Sequence, residues 1–159
     1  MRTARRIKSP EEVELIRAAA TVADSMMTAA LDAVAAGGPV KAVAMEAMAA
    51  QGVTTAAFEP IVDREGDRVT VAVGVLRDGW EADLTRSTPH APNEAIERCR
   101  AGAAAAELGP DAHGVGLGYE VLGPDDVLEP GIVLSVGVDG ARDTVLVTDG
   151  IPEVLTAPH

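Results

Sequence analysis

The order of elements along the chain predicts an α+β domain, in which two helices come first, three strands and one helix follow, and several short strands close the chain. Three observations carry this. Apolar residues open the chain at helical spacing, the middle and end are alternating or β-branched runs bounded by Gly and Pro, and no regular strand–helix–strand alternation appears. The 159 residues suit a single domain spanning 1–159 with one core.

Ser9-Pro10-Glu11-Glu12 is a strong helix start. Ser9 can cap, Pro10 suits the first helical position, and Glu12 completes a capping box. Val13, Ile16, Ala20, Ala23, Met27, Leu31 and Val34 then recur at helical spacing, until Gly37-Gly38 stops the helix. Lys41 to Gln51 reads as a second, shorter helix ended by Gly52. Val53 to Val62 reads as a strand broken by Pro60, and Asp63 to Asp67 as a charged turn. Arg68 to Leu76 and Glu81 to Arg86 read as a hairpin. Asn93 is placed to cap a helix through Ile96 and Cys99 to Leu108, stopped by Gly109-Pro110. Past the glycine-rich run His113 to Tyr119 comes an acidic loop, Asp125, Asp126 and Glu129. Ile132 to Val138 and Thr144 to Val147 are strand-like, with hairpin turn signals at Asp139-Gly140 and Asp149-Gly150. The tail from Ile151 to His159 is long enough for one edge strand.

Composition excludes several functions. A net charge of −12 argues against nucleic-acid and anionic membrane partners. The basic cluster Arg2, Arg5, Arg6 and Lys8 lacks the apolar run of a secretory signal, and no stretch reaches the length of a membrane span. The single cysteine, Cys99, forms no internal disulfide, which fits a reducing cytoplasm. Phe58, Trp80 and Tyr119 are the only aromatics. A core of Ala, Val, Leu and Met is thin, and such a core gains from a partner subunit.

The stretch Gly79 to Ser87 is where chemistry is expected. Asp83 falls on the second strand of the hairpin, beside or inside the core. An acid buried there must be paired, hydrogen-bonded or bound to a cation; the alternative is an exposed Asp on an edge strand.

Several stretches, in this order, resemble the pita-bread peptidase family of methionine aminopeptidases, prolidases, aminopeptidase P, creatinase and ectoine hydrolase. They are Ile7 to Arg17, Phe58 to Val62, Gly79 to Ser87, His113-Gly114-Val115-Gly116-Leu117-Gly118, Leu128 to Val136 and Asp143 to Thr148, which together cover most of the chain. The resemblance implies a truncated pita-bread fold, a curved antiparallel sheet with helices on its outer face. It also implies a site for two divalent cations held by two Asp, one His and two Glu. Asp83 falls on the second aspartate and His113 on the histidine. Ala72 replaces the first aspartate, Gly137 the first glutamate, and Arg142 falls on the last one unless a short deletion removes it. Two ligands of five remain, and Arg142 sets a fixed positive charge where a cation should sit. No metal and no other cofactor are therefore expected. The segment from Ser87 to His113 has room for about one helix where the family carries two, and no N-terminal domain of the prolidase kind is seen. Trimming of this sort exposes apolar surface and favours a homodimer.

On this reading His113 and Asp83 are the catalytic candidates, and Arg142, Tyr119 and Trp80 the substrate-binding ones. A His beside a carboxylate can serve as a base near neutral pH, and an Arg can clamp a carboxylate or an enolate-like oxygen. The chemistry expected is metal-independent cyclisation, elimination or isomerisation of a small carbonyl or carboxylate substrate, as in a biosynthetic pathway. Two alternatives stand beside it, a non-catalytic pseudo-peptidase that binds a peptide or protein, and a surviving metallopeptidase. In the first of these Asp83 merely pairs with Arg142 or Arg86.

Overall fold

The structure, a computed structural model, describes residues 6–159. Arg2 and Arg5 of the N-terminal basic cluster lie outside the described residues. Helix α1, Pro10–Ala36, begins in the capping box that its sequence signals. The Glu12 amide donates to Ser9 Oγ at 3.3 Å and the Ser9 amide donates to Glu12 Oε2 at 2.8 Å. It ends at Gly37, whose φ of 67° is left-handed and suits glycine. Helix α2, Val40–Ala50, folds back against it.

Among the described residues the remainder forms one antiparallel sheet of eight strands. These are β1 Ile61–Glu65, β2 Arg68–Arg77, β3 Trp80–Thr88, β4 His113–Gly116, β5 Gly118–Glu120, β6 Val133–Val138, β7 Ala141–Leu146 and β8 Glu153–Val154. Their order is β1-β2-β3-β7-β6-β4-β5, with β8 paired to β7. The expected α+β class and the curled antiparallel sheet are both present. Alternation along β2 and β3 divides the hairpin into two faces. Val71, Val73, Val75, Ala82 and Leu84 pack under Ile16, Ala20, Ala23, Met26 and Met27 of α1, and this is the larger core. Ala72, Gly74, Glu81 and Asp83 therefore face the other way, into the concave side. A smaller core joins Leu134, Val136 and Val145 to Ala95, Cys99, Leu108 and Leu128.

Two expectations are corrected. The strand Val53 to Val62 is not continuous. Ala57 N and Thr55 O bond to Gly74 O and Leu76 N, then pairing lapses until β1, which extends into the expected charged turn and leaves only Gly66-Asp67 to reverse the chain. Pro60 offers no amide to the ladder, which accounts for the gap. The helix expected from Asn93 to Leu108 is replaced by two 3-10 turns, Ile96–Arg98 and Ala105–Leu108. Between them Gly102 takes a φ of 89°, and the backbone pairs with the acidic loop instead. Gly102 N donates to Leu128 O, Leu128 N to Ala103 O, and Ala105 N to Asp126 O. Asn93 caps no α-helix; its amide donates to Val136 O at 3.0 Å and to Asp143 Oδ2 at 2.9 Å.

The two halves of the sheet meet where β3 adjoins β7, and a buried ion pair locks that seam. Arg86 Nη2 stands 2.6 Å from Asp143 Oδ1, and Arg86 Nη1 donates to Arg142 O at 2.7 Å. Asp143 also accepts from Thr156 Oγ1 at 2.8 Å, which ties down the C-terminal tail. Removing one member strands the other as an uncompensated buried charge. Arg86→Ala is expected to lower the unfolding free energy by about 3 kcal/mol or more. Urea denaturation followed by circular dichroism checks this, and a loss below about 1 kcal/mol would show that Thr156 and Asn93 satisfy Asp143 without the arginine.

Candidate functional site

The concave face carries two rows of residues set by strand register. In the first, Ala72 pairs with Thr85, Thr85 with Arg142, and Arg142 with Gly137. In the second, Gly74 pairs with Asp83 on one side of the seam, and Thr144 with Ser135 and Ser135 with His113 on the other. Thr144 Oγ1 joins the two sides of this row. It accepts from Asp83 N at 3.1 Å and donates to Asp83 O at 2.9 Å, doing with a side chain what the separated backbones do not.

Asp83 is 4% exposed. Ser135 Oγ donates to its Oδ2 at 2.9 Å. Burial raises its pKa; the hydrogen bond from Ser135 and the nearby His113, Arg142 and Thr144 only partly offset this. His113, 9% exposed, has Nδ1 3.4 Å from Asp111 O. Its Nε2 is buried with no hydrogen-bond partner among the described residues. Burial lowers the His113 pKa, against the pull of Asp83, so the neutral imidazole is the favoured form. Glu81 completes the group. It lies two residues before Asp83 on the same face of β3 and is 7% exposed. One ligand atom from each of Glu81, Asp83 and His113 lies within 4.8 Å of the others. Burial, then the charge of Asp83, pushes the Glu81 pKa up to about 7.

The other candidates divide. Arg142 reaches the cluster, but not as an ion-pair partner of Asp83. Its Nη1 donates to Ser135 Oγ at 3.1 Å and to Asp111 O at 3.0 Å, so the Ser135 hydroxyl stands between guanidinium and carboxylate. Tyr119 stacks on the His113 ring with centroids 4.3 Å apart, and is itself 65% exposed. Trp80 is on the opposite face. It pairs with Arg77 and packs against the α1 core, so the structure does not bring it to the cluster; it lies three positions before Asp83, and alternation turns it to the opposite face. Arg86, the other partner considered for Asp83, is engaged with Asp143.

A two-cation centre does not fit these residues. Where the resemblance calls for further carboxylates, the first row has Ala72, Gly137 and Arg142, which supply no anion and one fixed cation. A Cβ at Gly137 would stand 2.9 Å from Arg142 Cβ and closer still to Ala141 O, so the backbone there has closed over the space a glutamate needs.

Comparison with solved structures decides the architecture. Prolidase from Pyrococcus furiosus superposes with a TM-score of 0.82 at 24% identity, over 99% of this chain and 64% of that one. This is a shortened pita-bread fold. The His350Ala aminopeptidase P of Escherichia coli matches the pita-bread chain with a TM-score of 0.75 at 18% identity, over 97% of this chain and 57% of the other. The N-terminal domain of the FACT complex subunit SPT16 from Cicer arietinum matches at 0.72 and 13% identity, over 99% and 60%. The pita-bread chain spans less than two thirds of each of these. No protein-family model matches the sequence, and no curated protein matches it significantly. Among the described residues no helix is long and apolar enough to cross a membrane.

Glu81, Ser135 and Thr144 escape the sequence reading. Glu81 was open to detection, since a second acid at two-residue spacing on a strand shares the face of the first. It also makes a sign-definite prediction. The fold holds the Glu81 proton to about pH 7 where an unperturbed glutamate has a pKa of 4.5, so its contribution to stability falls as pH rises through that window and is flat above it. Glu81→Gln cannot ionise. In chelator-containing buffer the variant should gain stability relative to the wild type between pH 5 and pH 8, by on the order of 2 kcal/mol. Chemical denaturation at both pH values reads this, and an unchanged difference would mean that Glu81 ionises freely in the fold.

Proposed function

We propose that the chain is a metal-independent acid/base enzyme on a peptidase-derived scaffold, acting on a small carbonyl or carboxylate substrate. The observation that carries this reading is the buried Nε2 of His113, a lone pair without a partner beside two buried carboxyl groups and a guanidinium. With Nδ1 turned to the Asp111 carbonyl, the neutral ring holds its proton on Nδ1 and offers Nε2 as the base.

His113 Nε2 takes a proton from carbon next to the substrate carbonyl. The electron pair of that C–H bond moves onto the carbonyl oxygen, and the enolate formed is stabilised by Arg142. Asp83, held by Ser135, stabilises the imidazolium that results. Return of the proton to a different atom completes an isomerisation, and departure of a group with its bonding pair from the neighbouring carbon completes an elimination; attack of the enolate carbon on a second carbonyl of the same molecule, whose π pair moves to its oxygen and takes the proton from the imidazolium, gives cyclisation. Tyr119, exposed and stacked on the imidazole, is the part of the wall that meets the substrate. The same reading takes the chain as a cytoplasmic homodimer. Burial pushes the pKa of its one thiol, Cys99, up to about 12, so Cys99 has no part in the chemistry.

A second reading, a non-catalytic module that binds a peptide, draws on the outer flank of β5. There Leu117, Tyr119 and Val121, exposed by 63–70%, line a cavity of about 680 Å³ with Arg6 and Asp126. The SPT16 domain shares the architecture.

Proton transfer at carbon separates the readings. The protein is incubated in deuterated buffer with EDTA and a panel of small oxo acids and amino acids, and solvent deuterium in each is followed by NMR. Exchange is expected for at least one member, with His113→Ala, shown to be folded, slower by about 10²-fold or more. Exchange only after addition of divalent ions, equal exchange by the variant, or no exchange with any member would each remove the proposal.

A further inference from the structure

We infer that Glu81, Asp83 and His113 form a binding site for a single divalent cation of the borderline class that includes Zn²⁺, Co²⁺ and Mn²⁺. The inference does not rest on the acid/base reading. It also differs from the two-cation set of the resemblance, which these residues do not fit and to which Glu81 does not belong.

Two independent observations meet at this point. The first is the grouping itself, two carboxyl groups and an imidazole buried on one patch of the concave face with ligand atoms within 4.8 Å. Three atoms bound to one ion at about 2.0–2.2 Å stand about 3.4–3.8 Å from one another, so side-chain adjustments of about an ångström close the site. The second is the orphaned Nε2 of His113, on a side chain nine-tenths buried, which lacks a donor. A metal ion satisfies that lone pair as a proton donor would.

The surroundings are those of oriented ligands. His113 Nδ1 faces the Asp111 carbonyl, which leaves Nε2 as the ligating atom. Ser135 donates to Asp83 Oδ2, which leaves Oδ1 with only a 3.4 Å contact to Thr144 Oγ1. Arg142 spends Nη1 on Ser135 and Asp111 and is thereby held off the carboxylate. Two ionised carboxylates balance a doubly charged ion, and one nitrogen with two oxygens suits the borderline metals. Three protein ligands leave at least one coordination position for water or another small ligand. Because the ion takes the lone pair that the acid/base reading assigns to the base, it inhibits any proton transfer that His113 performs.

Cobalt is the probe. Full-length protein is stripped with EDTA, returned to chelator-free buffer and titrated with CoCl₂, with visible absorption and calorimetry recorded together. One Co²⁺ per chain is expected, with a visible d–d band, and Zn²⁺ should displace it. Glu81→Gln and His113→Gln should each weaken binding tenfold or more, while His90→Ala, on an exposed segment away from the cluster, should leave it unchanged. In the wild type, Zn²⁺ should also shift the ¹⁵N resonance of His113 Nε2, a readout that needs no variant to fold. Absence of saturable binding below about 100 µM, two ions per chain, one ion bound equally well without Glu81, or an unmoved Nε2 resonance would each overturn the site. If deuterium exchange failed while cobalt still bound, the acid/base reading would fall and the cation site would stand.

Discussion

The structure depends on how β3 is held to β7. A regular ladder would join two strands of this length by several backbone pairs, yet only Thr85 and Arg142 are in register there. The sheet curls at this seam, and β7 takes up β8 on the remainder of the edge. Side chains hold what the backbone releases. Thr144 bonds both main-chain groups of Asp83, Arg86 reaches Arg142 O and Asp143, and Ser87 Oγ donates to Gly140 O at 2.7 Å. Buried polar groups at such a seam need partners, so it is built from hydroxyls and a guanidinium rather than from aliphatic residues, although Arg86 Nε has no partner among the described residues. The concave face, and the buried acid on it, are consequences of that curl.

Close approach shapes the rest of the concave side. A Cβ at Gly74 would stand 2.5 Å from the Phe58 ring, so the glycine opposite Asp83 lets the aromatic lie flat on β2. On β4, Cβ atoms at Gly114 and Gly116 would run into the Glu120 side chain. Those glycines make room for Glu120 and for Lys8, whose Nζ lies 3.1 Å from Glu120 Oε1 and whose side chain is 1% exposed. The glycine-rich run thus couples the start of the chain to the last strand of the sheet, and it positions Tyr119 over His113.

The electrostatics of the cluster follow from its burial. Burial, and then the charge of Asp83 two residues away on the same strand face, holds a proton on Glu81 to near neutrality while Asp83 keeps the Ser135 hydroxyl. The same desolvation keeps His113 neutral. A neutral base, a protonated acid and a fixed guanidinium are a different instrument from a row of carboxylates around two ions. At Gly137 and Arg142 the backbone closes the space where a further carboxylate would stand.

Much of this was legible in the residues. The capping box of α1, the hairpin around Gly79 and the edge strand of the tail rest on local signals, because caps, turns and alternation act within a few residues; Asp83 and His113 were grouped through the family resemblance and not by a local signal. The missing helix between Asn93 and Leu108 was not legible. Its alanines favour a helix, and what defeats them is backbone pairing with residues 126 and 128, too far along the chain for local propensity to register. Trp80 was assigned to the site from its nearness to Asp83 in sequence, and parity along the strand sends it to the other face. Ser135 and Thr144 belong to the cluster only because β6 and β7 bring them there, and Arg142 stands off Asp83 only because Ser135 lies between them. The sequence alone determined most of the elements and marked the acid and the imidazole, since those are properties of short stretches. Which side chains meet across the seam was decided by the register and curl of the sheet, a balance of contacts between segments more than fifty residues apart.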